Sequence, residues 1–293
     1  MATLRELKGR IGSVASSEKI TGAMKMISSA KMHKAEGILR RLSPFRDCVS
    51  TIITSLLHSD ADVSSPLTED HAEVKRVAIV VLGSDDGLCG AYNVNIFKAL
   101  LDNLAAIRST YGEDVYFDII PVGKKMANAV NRISSDSHVT VTLPEGIDSK
   151  SDGDAVKAFA QSLQERFLAG DIDKVQIEYM SFISAGKQHA VAEDFLPIHP
   201  AAGDADGSDK PYIFEPDAAT LFRTVIPMFL LSQMQEAFAQ NRASEQAARV
   251  MAMQSANDNA QKLLEQLQLE YNKLRQQGIT TELLDIVGGQ RRD

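Results

Sequence analysis

The sequence predicts an α/β protein in which two long terminal helices bracket a central domain of alternating strands and helices. Three observations carry this. Apolar residues near both ends recur at steps of three and four, which is helical spacing. The middle third instead shows short continuous apolar runs separated by helical segments. Gly (18) and Pro (9) are scarce over 293 residues, which argues against an all-β chain of many tight turns.

The N-terminal segment, 1–57, has apolar residues at Leu4, Leu7, Ile11 and Val14, then Ile20, Met24 and Ile27, then Ile38, Leu42, Phe45, Val49, Ile52 and Leu56. From Ala35 to Leu56 the steps alternate three and four as in a heptad seam. The phase slips around 15–18, and Pro44 predicts a bend. At the other end, 217–287, Asp217 is placed to cap a helix that begins at Ala218. Apolar positions follow at Leu221, Val225, Met228, Leu231, Met234 and Phe238. The seam resumes at Ala256, Ala260, Leu263, Leu264, Leu267, Tyr271 and Leu274. No glycine separates Asp217 from Gly278. At 1.5 Å per residue such a helix is about 90 Å long, a length common only in coiled coils. Neither seam has a partner nearby in sequence, so the simplest burial is of one against the other, antiparallel. The expected register sets Ile20–Ile27 beside the last turns before Gly278.

The domain between them, 75–210, reads strand (75–82), helix (96–107), strand (115–122), short helix (126–133), strand (138–143), helix (152–169, with Ala155, Phe159, Leu163 and Phe167 on one face), then strands 174–183 and 189–198. Such alternation gives a Rossmann-like domain with a mostly parallel sheet. A polar stretch, 203–209, links it to the last helix.

Charge narrows the function classes. The net charge is −8, against general nucleic-acid affinity. Residues 1–46 nevertheless carry 10 Lys and Arg against 3 Asp and Glu, while 47–216 carry 13 against 27. On a helical projection Arg5, Lys8, Lys19, Lys34 and Arg41 share an arc of roughly 80°. That arc is either a solvated face or a basic track for an acidic partner, with Lys19 and Lys34 as its test positions. Two cysteines cannot build a disulfide framework, and a reducing compartment is expected. No run of 18 apolar residues is present to span a membrane, and the N-terminus has no signal-peptide pattern.

Sites of chemistry are few. The loop Gly83–Ala91 follows a strand and precedes a helix, where nucleotide folds hold phosphate. It has neither GxxxxGK[ST] nor GxGxxG, and Asp85 and Asp86 would repel a phosphate, so no cofactor is expected. Cys89 in Gly87-Leu88-Cys89 invites a nucleophile reading, but no histidine has a supporting local context; a small buried cysteine in a turn is the simpler reading. Asp204, Asp206 and Asp209 lack the spaced Glu of a calcium loop, so no metal is expected. Met24, Met26 and Met32 read first as seam residues and alternatively as an adaptable partner surface.

Long stretches resemble one family. Ile20-Thr21-Gly22-Ala23-Met24-Lys25-Met26-Ile27-Ser28-Ser29-Ala30-Lys31-Met32 is similar to the N-terminal helix signature of ATP synthase gamma subunits. Ser244 to Ala260 and Tyr271 to Gly289 resemble its C-terminal signature, Gly87-Leu88-Cys89-Gly90 its central-domain loop, and Tyr212 to Asp217 the stretch before its last helix. The resemblance implies a bacterial-type, non-catalytic central-stalk subunit of the F1 sector. In it, a coiled coil turns inside a hexamer of alpha and beta subunits, three of each, and couples transmembrane proton flow to ATP synthesis. It implies further partners in the epsilon subunit and the membrane c-ring. It places the protein peripherally at the cytoplasmic face of the bacterial inner membrane, with no direct insertion. By resemblance, contacts with the beta subunit fall at Met24, Lys25, Arg275, Gln276 and Thr280, and a contact with epsilon and the ring at Tyr212. Asp85-Asp86 departs from the family's usually more glycine-rich, often basic loop, and Gly9, Gly12 and Gly22 weaken the first helix. The rival readings are a static coiled-coil adaptor and a Cys89-dependent α/β enzyme.

Overall fold

The computed structural model describes residues 3–57, 65–133, 136–199 and 214–289. In chain order the elements are α1 (Leu4–Leu57), β1 (Arg76–Leu82), α2 (Tyr92–Tyr111), β2 (Tyr116–Val122), α3 (Lys124–Val130), β3 (Val139–Val141), α4 (Gly153–Leu168), β4 (Lys174–Ser184), β5 (Lys187–Leu196) and α5 (Ala218–Gly289). Among the described residues two compact units form: one from Ala30 to Ala248, and one that joins the chain ends, up to Ser29 and from Arg249 onward. Every expected helix and strand is present, with ends shifted by a few residues. The strands expected at 174–183 and 189–198 meet in a tight hairpin, because β5 begins at Lys187.

Unit 30–248 is built on a five-stranded sheet in the order β3-β2-β1-β4-β5. All neighbours are parallel except β4 and β5. β1 is the central strand, and six of its seven residues are buried, as its unbroken apolar run requires. One face of the sheet packs Ile96, Leu100, Leu104 and Ile107 of α2 and Met126 and Val130 of α3. The other packs Phe159, Leu163 and Phe167 of α4, Val49, Ile53 and Leu56 of α1, and Phe222, Ile226, Leu230 and Met234 of α5. On α4 the buried stripe runs Val156, Phe159, Ala160, Leu163 and Phe167, whereas the expected Ala155 is only half-buried. Over the first turns of α5 the buried phase is one residue later than the sequence suggests, with Phe222, Ile226 and Phe229 buried and Met228 48% exposed, while Met234 and Phe238 are buried as expected.

The start of α5 follows its sequence signal. Asp217 Oδ1 accepts the Thr220 N–H at 2.8 Å, and Oδ2 accepts its hydroxyl at 2.7 Å. These donors hold the Asp217 carboxyl below its ordinary range, the side-chain bond from Thr220 first. Both long helices run through their prolines, Pro44 and Pro227, without interruption. Both prolines are exposed, so carbonyls released from the ladder can meet water.

Within α1, Leu7 and Ser28 are buried, and Ile11, Val14, Glu18, Thr21 and Lys25 are half-buried. The series steps four and three without a break, so the expected phase slip at 15–18 is absent. The seam stays in register by passing through polar residues, while Ile20 and Ile27 face outward at 59% and 56% exposure. On α5 the matching series is Met253, Asn257, Ala260, Leu264, Leu267, Tyr271, Leu274 and Gly278; Leu263 lies outside it, 45% exposed. The two series meet antiparallel, as expected. Asn257 Nδ2 donates to the Glu18 carbonyl at 2.8 Å, Gln261 Nε2 reaches Glu18 Oε1 at 3.4 Å, and a Cβ on Gly22 would lie 3.4 Å from Asn257 Nδ2. The expected register is wrong, however: residues 18–22 lie beside 257–261, not beside the turns before Gly278. Apolar spacing alone could not place it, since the pairing is set by polar residues at seam positions.

This register is open to a direct check. A chain carrying Gly22→Cys and Asn257→Cys, with Cys48→Ser, should form an intramolecular disulfide under mild oxidation. The same chain with Leu274→Cys in place of Asn257→Cys should remain reduced. Efficient closure of the second pair would show that the register is mistaken.

Candidate partner-binding surfaces

The loop after β1 is filled by its own side chains. Asp85 Oδ1 accepts the Lys124 N–H at the start of α3 (3.0 Å), and Oδ2 accepts the Ser149 N–H (3.2 Å) and hydroxyl (2.7 Å). Asp86 pairs with Lys150 at 3.0 Å. The Asp85 carboxylate thus ties the loop to the start of α3 and to the segment at Ser149. Gly83 and Gly123 allow this closeness: a Cβ on Gly83 would sit 2.4 Å from Met126 Cβ, and one on Gly123, at φ +103°, 2.9 Å from the Ser84 carbonyl. Cys89 is 3% exposed. Its Sγ lies 3.6 Å from Asn93 Nδ2 and 3.8 Å from Ser84 Oγ, the surroundings of a packed turn thiol. Leu88, at φ +63°, is held outward at 61% exposure.

The residues assigned by resemblance fall in separate places. Met24 and Lys25 are half-buried on α1, close to the seam. Arg275, Gln276 and Thr280 are all exposed on α5, where the Thr280 hydroxyl donates to the Gln276 carbonyl at 2.9 Å. The observed register sets residues 18–22 against 257–261, so these two groups do not form one patch. Lys19 and Lys34 are exposed, as are Arg5, Lys8 and Arg41. Tyr212 lies outside the described residues, as do Asp204, Asp206 and Asp209 with the linker 203–209.

The exposure of the apolar end of α5 is not legible in the sequence. Beyond Gly278, the last half-buried seam position, Ile279, Leu283, Leu284, Ile286 and Val287 are all exposed, by 49% to 66%. Five large apolar side chains within nine residues form an exposed apolar cluster at this end of α5. The steps Ile279, Leu283 and Ile286 look like more seam. Only the register shows that the partner helix has by then run out. Among the described residues no helix is long and apolar enough to cross a membrane, and no cluster of three metal-ligating residues occurs.

Comparisons with known proteins put these surfaces in context. A family model described as ATP synthase matches residues 3–291. The ATP synthase gamma chain of Bacteroides fragilis is 42% identical over 297 residues, spanning 99% of both chains. That of Stenotrophomonas maltophilia is 34% identical, again over 99% of each. Among solved structures, the fold is similar to a chain of the Euglena gracilis mitochondrial ATP synthase rotor, with a TM-score of 0.61 and 19% identity, covering 94% of this chain and 98% of that one. A chain of the Tetrahymena thermophila central stalk and c-ring is similar at TM-score 0.56, covering 81% of this chain and 99% of that one.

Proposed function

The chain belongs to the ATP synthase gamma-chain family, and on that premise we propose that it works as the rotary central-stalk subunit of an F-type ATP synthase. The observation that carries this reading is full-length similarity to gamma chains joined to an antiparallel pairing of the two chain ends. A rotor subunit needs a shaft that is asymmetric around its axis. This one has outward apolar residues at Ile20, Met26 and Ile27, exposed basic residues on α1, and a bare apolar stretch at 279–287. Each face presents different chemistry to a surrounding hexamer, so each orientation of the shaft favours a different arrangement of the beta subunits. Coupling then follows from differential contacts, because a bound shaft shifts a conformational equilibrium only by its difference in affinity for the states.

The partners in this reading are alpha and beta subunits in threefold excess, the epsilon subunit and the membrane c-ring. The chain itself is non-catalytic, and the static-adaptor and Cys89-enzyme readings are set aside. Within the reading, Met24, Lys25, Arg275, Gln276 and Thr280 contact beta, Lys19 and Lys34 face its acidic segments, and Tyr212 meets epsilon and the ring. The complex sits at the cytoplasmic face of a bacterial inner membrane. Two facts support these assignments: every one of these residues but Tyr212 is half-buried or exposed, and the full-length relatives named above are bacterial.

Co-expression with the alpha and beta subunits of the same source tests the reading. The expected result is a stable complex with alpha and beta in threefold excess that hydrolyses ATP, while the chain purified alone does not. Recovery of the chain without alpha and beta, or ATP hydrolysis by the chain alone that Cys89→Ala abolishes, would overturn it.

A further inference from the structure

Inside unit 30–248, α5 is unusual for a core helix. Between Ser232 and Gln246, seven of its side chains are polar or charged and no more than 8% exposed. Buried polar groups are costly unless bonded, and apolar residues of similar size would fill the same space at lower cost. The bonds they and their neighbours make are directional and reach different elements. Gln233 Nε2 donates to the Asp194 carbonyl of β5 at 2.9 Å. Glu236 accepts the Ser43 hydroxyl of α1 at 3.1 Å and pairs with Arg46 Nε at 3.0 Å. Gln240 Oε1 accepts the Ser181 hydroxyl and the Phe182 N–H of β4, at 2.9 and 3.2 Å. Asn241 Nδ2 donates to the Gly83 carbonyl at 3.0 Å, and its Oδ1 accepts the Tyr92 hydroxyl at 2.6 Å. Arg242 Nη2 donates to the Ser151 carbonyl at 2.7 Å. At about 100° per residue these five positions cover an arc of about 240° around the helix.

We propose that this ring of bonds is a torsional key: Gln240 and Asn241, with Glu236 and Arg242 beside them, stop α5 from turning about its own axis inside the α/β domain, and so carry torque between helix and domain. The inference rests on the rotor reading above and names the residues that transmit its load. Apolar packing is non-directional, so a helix held by it alone resists twist only through the interlocking of its side chains. A hydrogen bond weakens steeply once its angle is lost. Bonds placed on several sides of a cylinder therefore resist twist in both senses, which bonds on a single side would not. α5 is one helix from Ala218 to Gly289, so a twist applied along it must be held somewhere by its surroundings. Its polar, multiply bonded stretch is where the sheet, α1 and two loops all grip it.

The test uses the complete alpha–beta–gamma complex, anchored through the hexamer, with a bead fixed to the α/β domain through Lys157→Cys in a Cys48→Ser chain. The angular variance of the bead during dwells is inversely proportional to torsional stiffness. The key variant combines Gln240→Met, Asn241→Leu and Tyr92→Phe, which removes bonding partners together. The control is Met234→Ala, in the same helix and fully buried, with an unfolding temperature lowered by at least as much. Gln240→Met alone is the milder second variant. The expected result is at least a twofold rise in variance for the key variant, a smaller rise for Gln240→Met, and the parental value for the control. Equal variance in all chains would overturn the proposal, as would a rise that tracks unfolding temperature regardless of which residue changes. Failure of the parental complex to rotate on ATP is a distinct outcome: it removes the rotor reading itself, and the key falls with it.

Discussion

Glu178→Gln should stabilise the protein strongly above pH 8 and leave it nearly unchanged near pH 4.5. Glu178 lies on β4, 1% exposed, facing α2. Burial pushes its carboxyl up to about 8 and the charge of Asp102 adds to this, while a long bond from Asn103 Nδ2 at 3.4 Å opposes it. The folded chain therefore holds a proton that the unfolded chain releases near pH 4.5. A raised carboxyl contributes stability that is fully present below the unfolded value and is lost as pH rises through the folded one. Stability of the parent should fall between about pH 4.5 and 8 and then level off. Glutamine keeps the acceptor for Asn103 and has no proton to lose, so its profile should lack this slope. The difference above pH 8 is ~3–5 kcal/mol, since each tenfold change in a protonation equilibrium is worth ~1.4 kcal/mol. Urea unfolding of both chains from pH 4.5 to 9 reads it directly. Parallel stability profiles would show that Glu178 is already ionised, or hydrated, in the folded state.

The same residue shows where the sequence is readable and where it is not. The strand around Glu178 is visible from its apolar neighbours, Val175, Ile177 and Tyr179, because burial on one face imposes a period that survives one exception. What the sequence cannot show is that the opposite face at Glu178 is buried as well. That depends on α2 crossing above it, a tertiary fact. The α5 stretch from Ser232 to Arg249 repeats the lesson. Its Glu236 and Asn241 are buried, which the sequence does not announce, because polar residues carry no signal of burial until their partners are known. The coil is the clearest case. Existence, length and antiparallel sense follow from unpaired helical seams, and the Asp217 cap from a local rule. Register follows from neither. It is set where Glu18, Thr21 and Asn257 meet, and a reading that tracks only apolar residues puts Ile20 and Ile27 inside, when both are exposed. The candidate site is legible only as far as family resemblance reaches. Asp85 and Asp86, which in sequence are a bare departure from the family loop, prove to be structural anchors for α3 and for the segment carrying Ser149 and Lys150.

Reversing Lys19 and Lys34 to Glu should weaken assembly or coupling while leaving the isolated chain folded. Both side chains are exposed, and among the described residues neither lies within ion-pair distance of a carboxylate of the same chain. Their removal therefore takes nothing from the fold, and helix content should stay near the parental value. Their effect has to arise in the complex. If they face acidic segments of the surrounding subunits, removing one partner of a desolvated pair costs ~2–5 kcal/mol, whereas an exposed pair is worth only ~0–1 kcal/mol. Charge reversal adds repulsion to that loss. Screening decides between interface and solvated face, because the Debye length grows from ~8 Å at physiological salt to ~30 Å at 0.01 M. The defect of the reversed chain should deepen as salt is lowered, in contrast to a defect of packing, which salt would hardly touch. Protons pumped per ATP hydrolysed, measured in inverted vesicles at two ionic strengths, gives the readout. A value equal to that of the parent at both strengths would make the basic residues of α1 an ordinary solvated face and remove Lys19 and Lys34 from the mechanism.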